Sequence, residues 1–249
     1  MSGLVHLGRM LLGVGMIALG GIGVAYADFI LEWSTVPEHL PARSAFAYIH
    51  GVVLIATGLG LFFKKTVRPA AFALGAVWLI WTLLCIPLVI ATWRGRAGLQ
   101  AELLGMTSGI FILAGLAGPT VNRTLVLVCR YAFALCMPVY GLVHFLYPQA
   151  VASWVPRWLP GHLFWAYFTG VAHCAAGLAI LSGVLARLAA KLFAIMLSSW
   201  VLILHIPRVA AALHDRHEWT TLFIAVALSG AAWVLAGSLT EFSTNRRSM

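Results

Sequence analysis

The chain has 249 residues, 62% of them hydrophobic and only 9% charged. A soluble domain carries about a quarter of its residues as charges, so a water-soluble globular class is excluded. The net charge of +9 is then no argument for nucleic acid; it has to be read by side of a membrane.

Apolar runs long enough to cross a bilayer predict eight spans in chain order: 8–27, 45–63, 69–92, 99–117, 124–147, 162–183, 187–211 and 219–239. The first ends in Ala25-Tyr26-Ala27, similar to a cleaved signal peptide, but its later counterpart favours a retained helix. An even number puts both termini on one side. That side carries ten cations, among them Arg9, Lys64, Lys65, Arg68, Arg246 and Arg247, against six on the other, among them Arg43, Arg208 and Arg216. The excess of Lys and Arg makes the ten-cation side, with both termini, cytoplasmic. Glu241 is the one acid there; Asp28, Glu32, Glu38, Glu102, Asp215 and Glu218 fall on the external side.

The chain repeats itself. Residues 36–61, VPEHLPARSAFAYIHGVVLIATGLGL, match 155–180, VPRWLPGHLFWAYFTGVAHCAAGLAI, at eleven of 26 positions without a gap. Arg9, Gly20 and Tyr26 align with Arg130, Gly141 and Tyr147, and Trp81 aligns with Trp200. The fourth spans end alike, in Leu-Ala-Gly at 113–115 and 235–237. The expected fold is an all-α membrane protein: two tandem four-helix bundle repeats, 1–120 and 121–249, in parallel topology about an axis along the membrane normal. Helices in lipid gain nothing from hydrophobicity when they associate, so the glycines at 13, 15, 20, 21, 23, 58, 60, 177 and 183 read as close-packing positions. Pro138 and Pro207 lie inside spans and predict kinks. Trp154, Trp158 and Trp165 mark the second VPxxLP loop as an interfacial anchor.

Nine histidines occur, and only His6 falls on the cytoplasmic side. His144, His173 and His205 lie in the outer part of three consecutive spans, and their partners in the first repeat are Gly23, Leu54 and Cys85. An ionisable residue inside a membrane is costly and marks a functional site by default. The second repeat therefore holds the candidate ligand site, with His144, His173 and His205 sharing one outward-opening pocket beside Tyr140 and Trp200. The plainer reading of each histidine alone is a hydrogen bond to backbone. His50, opposite Thr169, reads as an interhelical hydrogen bond. The HDRHE stretch at 214–218 has spacing for a metal or a proton relay, though a solvated turn accounts for it. No Cys-x-x-Cys, HExxH, P-loop or dinucleotide motif occurs, and Cys85, Cys129, Cys136 and Cys174 all lie in spans.

The run YGLVHFLYP…VPRWLPGHLFWAYFTGVAHCAAGLAIL…LILHIP resembles the DoxX-like family of small four-helix bacterial membrane proteins. The matching positions are Gly141, His144, Phe145, Pro156, Leu159, Pro160, Gly170, His173 and His205. The family often has glutamate where His173 stands. The resemblance implies an integral protein of the bacterial inner membrane, in contact with lipid and with a respiratory or redox partner subunit. It implies an accessory subunit that binds a quinone-like or other small apolar ligand, with the histidines as hydrogen-bond or proton partners. A haem or metal protein with two histidines as ligands, a transporter, and an assembly factor are the alternatives. The residues themselves fix no reaction and no cofactor.

Overall fold

The computed structural model describes residues 2–30, 36–37, 39–91 and 93–244, without the side chains of 88, 89, 91, 93–96 and 241–244. Glu32, Glu38, Arg246 and Arg247, used above to orient the chain, lie outside the described residues, and the side chains of Arg94, Arg96 and Glu241 are not described.

Among the described residues the structure is all-helical. The long helices are α1 (Gly3–Tyr26), α2 (Arg43–Gly60), α3 (Val67–Ala91), α4 (Trp93–Leu116), α5 (Arg123–Leu146), α7 (His162–Ser182), α8 (Ala186–Trp200) and α10 (Arg216–Thr244). A short α6 (Pro148–Ala152) follows α5, and α8 runs through a π-helical turn, Val201–His205, into α9 (Ile206–Ala211). Seven segments are long and apolar enough to cross a membrane, the composite of α8, the π turn and α9 counting as one. The remaining rod, α2, has 18 residues and carries Arg43, Tyr48 and His50, which shortens its apolar run.

The outside of the helices is apolar. Ile49 is 61% exposed, Phe164 61% and Leu178 60%, with many large neighbours alike. A surface of that kind suits lipid and not water. Polarity lies inside, where Thr82 and Thr107 share a hydrogen bond at 2.9 Å and Ser198 and Ser229 one at 2.7 Å, each tying two helices. Trp81 donates from its indole N–H to His50 Nε2 at 3.1 Å, the interhelical bond expected of that histidine.

The neighbours run round the molecule as α1, α2, α3, α4, α5, α7, α8 and α10, and α10 returns to α1. Helices α4 and α10 also meet each other. They are the most enclosed, with 72% and 67% of their apolar windows buried against 28–50% for the other five spans. They therefore form the centre.

What lets the rods close is the absence of side chains where they cross. A Cβ built at Gly20 would stand 2.5 Å from the carbonyl oxygen of Gly51, and one at Gly51 2.8 Å from that of Gly20. The same contact recurs between α5 and α7: a Cβ at Gly141 would lie 2.7 Å from Gly170 O. Pro138 does not interrupt α5; its ring sits in the notch left by Gly177, 2.5 Å from where a Cβ would be. Pro207 is accommodated differently. The helix widens into the π turn just before it, and Ile206 N–H bonds Val201 O, a known way of absorbing a helix fault.

One end of the bundle is clamped electrostatically. Asp28, just after α1, accepts from Phe29 N–H at 2.8 Å, pairs with Arg43 at 2.7 Å and meets Arg216 of α10 at 3.5 Å. Arg216 also donates to Phe29 O at 2.6 Å and lies over the Tyr26 ring. Partial burial alone would raise the Asp28 pKa, but the Phe29 N–H and the two guanidinium groups outweigh it and hold the carboxyl below its ordinary value.

Two outcomes test this packing. Gly20→Ala places a methyl against backbone and lowers the midpoint of thermal unfolding in detergent, an overpacking cost of about 1–3 kcal/mol. Gly21→Ala, where a Cβ meets nothing within 4 Å, leaves it unchanged or slightly raised. Because the folded pKa of Asp28 is depressed, its contribution is full above the unfolded carboxyl pKa and is lost as pH falls through the folded value. Asp28→Asn therefore lowers the unfolding midpoint at neutral pH, and the gap from wild type narrows to nothing in strong acid.

Candidate functional site

Helix α5 presents Tyr140 and His144 one turn apart, on one face. Helix α7 presents His173 opposite them. The imidazoles of His144 and His173 lie with ring centroids 5.1 Å apart. The Tyr140 ring completes a triangle, 5.4 Å from His144 and 5.1 Å from His173. Phe193 of α8 meets His173 edge-on at 5.2 Å. The two histidines are 7% and 5% exposed, so the pair is enclosed by protein.

The glycine crossing places them. A Cβ at Gly141 would come within 3.1 Å of the His173 Cβ, and one at Gly170 within 2.8 Å of the His144 Cβ. Each glycine thus makes room for the histidine of the other helix, and the two rings stand beside the closest approach of the backbones.

Hydrogen bonds fix the ring states. His144 Nδ1 lies 3.0 Å from Tyr140 O, and His173 Nδ1 lies 2.7 Å from Thr169 O. A carbonyl oxygen only accepts, so each Nδ1 carries the proton it donates. In the neutral ring Nε2 is then a bare lone pair. The same arrangement, a backbone carbonyl on one ring nitrogen, pre-orients histidines for a ligand on the other.

Tyr140 brings a fourth group. Its hydroxyl donates to Glu102 Oε1 of α4 at 3.0 Å. Glu102 is the one carboxylate inside any predicted span, and that position was the signal by which the sequence could have yielded it. Glu102 thus tethers the hydroxyl end of the Tyr140 ring that faces both imidazoles.

His205 is not part of this group. Its ring lies 6.4 Å from Trp154, and no hydrogen bond or ring contact among the described residues links it to His144 or His173. It falls in the π turn, where Val201 O is engaged by Ile206 N–H, and its buried Nδ1 has no partner. His144 and His173, on regular helix, use the carbonyl four residues back; His205, in the widened turn, makes no such bond. Trp200 packs edge-on against Trp165 at 6.0 Å, again apart from the histidine pair. The structure thus brings together His144, His173 and Tyr140 and leaves His205 and Trp200 elsewhere. The expected single pocket of three histidines divides into a pair and a separate ring.

His205 belongs instead to the outer cluster around HDRHE. The Arg208 guanidinium lies 4.2 Å above the Trp154 ring and is held by Glu218 through bonds of 2.8 and 2.5 Å. His217 stands 6.1 Å from the same ring. Asp215 Oδ1 accepts from His217 N–H at 2.8 Å, capping the start of α10. The stretch is an exposed turn at His214 that leads into the capped start of α10. Among the described residues no group of three or more His, Cys, Asp or Glu is gathered to hold a metal ion.

Comparison with known proteins adds one match. A family model described as "Domain of unknown function (DUF8561)" matches residues 133–236, a stretch that includes Tyr140, His144 and His173 but not Glu102. No curated protein and no solved structure matches the chain.

Proposed function

We propose that the chain is an eight-span protein of a bacterial inner membrane, built as two tandem four-helix repeats with both termini cytoplasmic. In this reading it is a DoxX-like accessory subunit of a redox or respiratory assembly. Its second repeat binds the head group of a quinone-like molecule through His144 and His173 beside Tyr140.

Support for the doubling comes from packing as well as from sequence. Gly20 meets Gly51 as Gly141 meets Gly170, and Gly58 lies against Gly13 O as Gly177 lies against Ala134 O. These pairs are the ones the alignment equates. Arg43 aside, α2 is then the short counterpart of α7, which supports counting it as the eighth span.

The observation that carries the ligand reading is the triangle of Tyr140 with the buried His144 and His173, set where the first repeat has Leu19, Gly23 and Leu54. A buried polar group is costly unless it is used or satisfied. Nδ1 of each histidine is satisfied by backbone, and Nε2 of each is engaged by no hydrogen bond among the described residues. A bare Nε2 accepts a hydrogen bond, so the neutral pair suits a hydroxyl-bearing head group such as a quinol. A protonated imidazole donates and suits a quinone carbonyl. The rings of Tyr140 and Phe193 pack on the imidazoles and wall the pair with apolar surface.

The haem or metal reading rests on the same two Nε2 atoms and on no third ligand. The transporter reading expects a polar site shared between equivalent faces of the repeats, whereas here the imidazoles belong to one repeat.

Extraction of lipids from purified protein tests the proposal. Wild type retains quinone; His173→Leu retains at least tenfold less; His205→Leu, which alters a helix histidine outside the triangle, retains as much as wild type. Equal quinone in all three proteins, or none in wild type, contradicts it, provided that the three share one thermal unfolding midpoint.

A further inference from the structure

A self-contained four-helix bundle closes by returning its fourth helix to its first. This chain does otherwise. Helix α1 lies along α10, with a Cβ at Gly8 reaching within 2.5 Å of Gly230 O and one at Gly15 within 2.8 Å of the Ala227 Cβ. Helix α4 lies along α5, where a Cβ at Gly98 would stand 3.4 Å from Val143 Cγ2. Among the described residues α1 and α4 make no extended contact. Each fourth helix keeps its own third helix, α4 on α3 and α10 on α8, and meets the first helix of the other half, so the two halves close as one ring.

The centre of the bundle carries the mark of a two-fold relation. The Leu-Ala-Gly ends at 113–115 and 235–237 set an offset of 122 (235 − 113), which pairs Gly109 with Ala231 (109 + 122). These two equivalent positions meet: a Cβ at Gly109 would lie 2.5 Å from the Ala231 Cβ. Equivalent residues touch each other only where a two-fold axis passes.

The same offset shows what the exchange does for chemistry. Glu102 corresponds to Ile224, and both Ile224 and the first-repeat positions Leu19 and Leu54 are buried. The twin of the histidine site is apolar throughout. The histidine site itself receives its carboxylate from α4, a helix of the first half, through the 3.0 Å bond from Tyr140.

We infer that the two repeats exchange closing contacts, each fourth helix leaving the first helix of its own repeat for that of the other, and that the first repeat, which has no counterpart of the histidine pair, completes the second repeat's site with Glu102. The inference rests on the tandem-repeat reading and on the Tyr140–His144–His173 site. Glu102 acts as a positioning residue: it holds the Tyr140 hydroxyl and so orients the ring that faces both imidazoles. It follows that a single four-helix unit of this kind lacks the acid and obtains it only from a second four-helix unit, covalently joined or not.

The test uses the full chain with its four cysteines replaced by alanine, a protease site inserted between Gly118 and Asn122, and the pair Gly98→Cys and Val143→Cys. After purification the loop is cut and the pair oxidised. The expected result is one band of the uncut size without reductant, and two half-size bands with it. Two half-size bands under both conditions overturn the exchange. In the uncut chain, Glu102→Leu moves the Tyr140 hydroxyl proton upfield in tyrosine-labelled NMR spectra and disturbs neither the cross-link nor the unfolding midpoint. An unmoved proton overturns the role of Glu102. These readouts need no ligand. If the cross-link fails while His173→Leu still strips quinone, the exchange is wrong and the ligand reading survives; if the cross-link forms and the proton moves in a protein that never retains quinone, the exchange holds and the ligand reading falls.

Discussion

Everything in this bundle depends on backbone meeting backbone. In lipid no hydrophobic gain drives one apolar helix onto another, so association rests on dispersion contacts at short range and on hydrogen bonds across the seam. Gly20 on Gly51 and Gly141 on Gly170 supply the first kind, at distances no side chain permits. The hydroxyl pairs Thr82–Thr107 and Ser198–Ser229 supply the second. The bulky residues are left to face outward, where lipid accepts them.

That constraint also creates the site. Two helices that touch at glycine bring their next residues together with little freedom, and on α5 and α7 those residues are His144 and His173. In the first half the same crossing brings Gly23 and Leu54 into the corresponding places, and nothing titratable results. One backbone device thus gives an inert seam and a polar one, and side-chain choice alone separates them. The carboxylate that accompanies the polar seam arrives on α4, because α4 closes on α5 and not on α1.

Much of this was legible in the sequence. Composition excluded a soluble fold, spacing gave the rods, and internal identity gave the glycine pairs before any geometry was known. His50 was readable as a structural bond because its twin, Thr169, is also a hydrogen-bonding residue. The depth of each of His144, His173 and His205 was legible, since depth follows from the rise per residue, but the azimuth that decides whether they meet was not. Azimuth depends on local helical twist, and the π turn at Val201–His205 changes that twist just where His205 lies. The meeting of α10 with α1 left no trace in the pattern, because hydrophobic spacing sets a helix's polarity and not its neighbour. The Asp28–Arg216 contact spans 188 residues, and no local rule reaches that far.

The central claim is that His144 and His173 present two proton-free Nε2 atoms to a head group. Nitrogen-15 spectra of histidine-labelled protein in bilayers measure this directly. The account predicts two imidazoles with Nδ1 protonated and Nε2 bare, whose Nε2 signals both shift when a short-chain benzoquinol is added while those of His205 stay in place. Rings protonated at Nε2 in the empty protein, or Nε2 signals unmoved by saturating quinol, would contradict it.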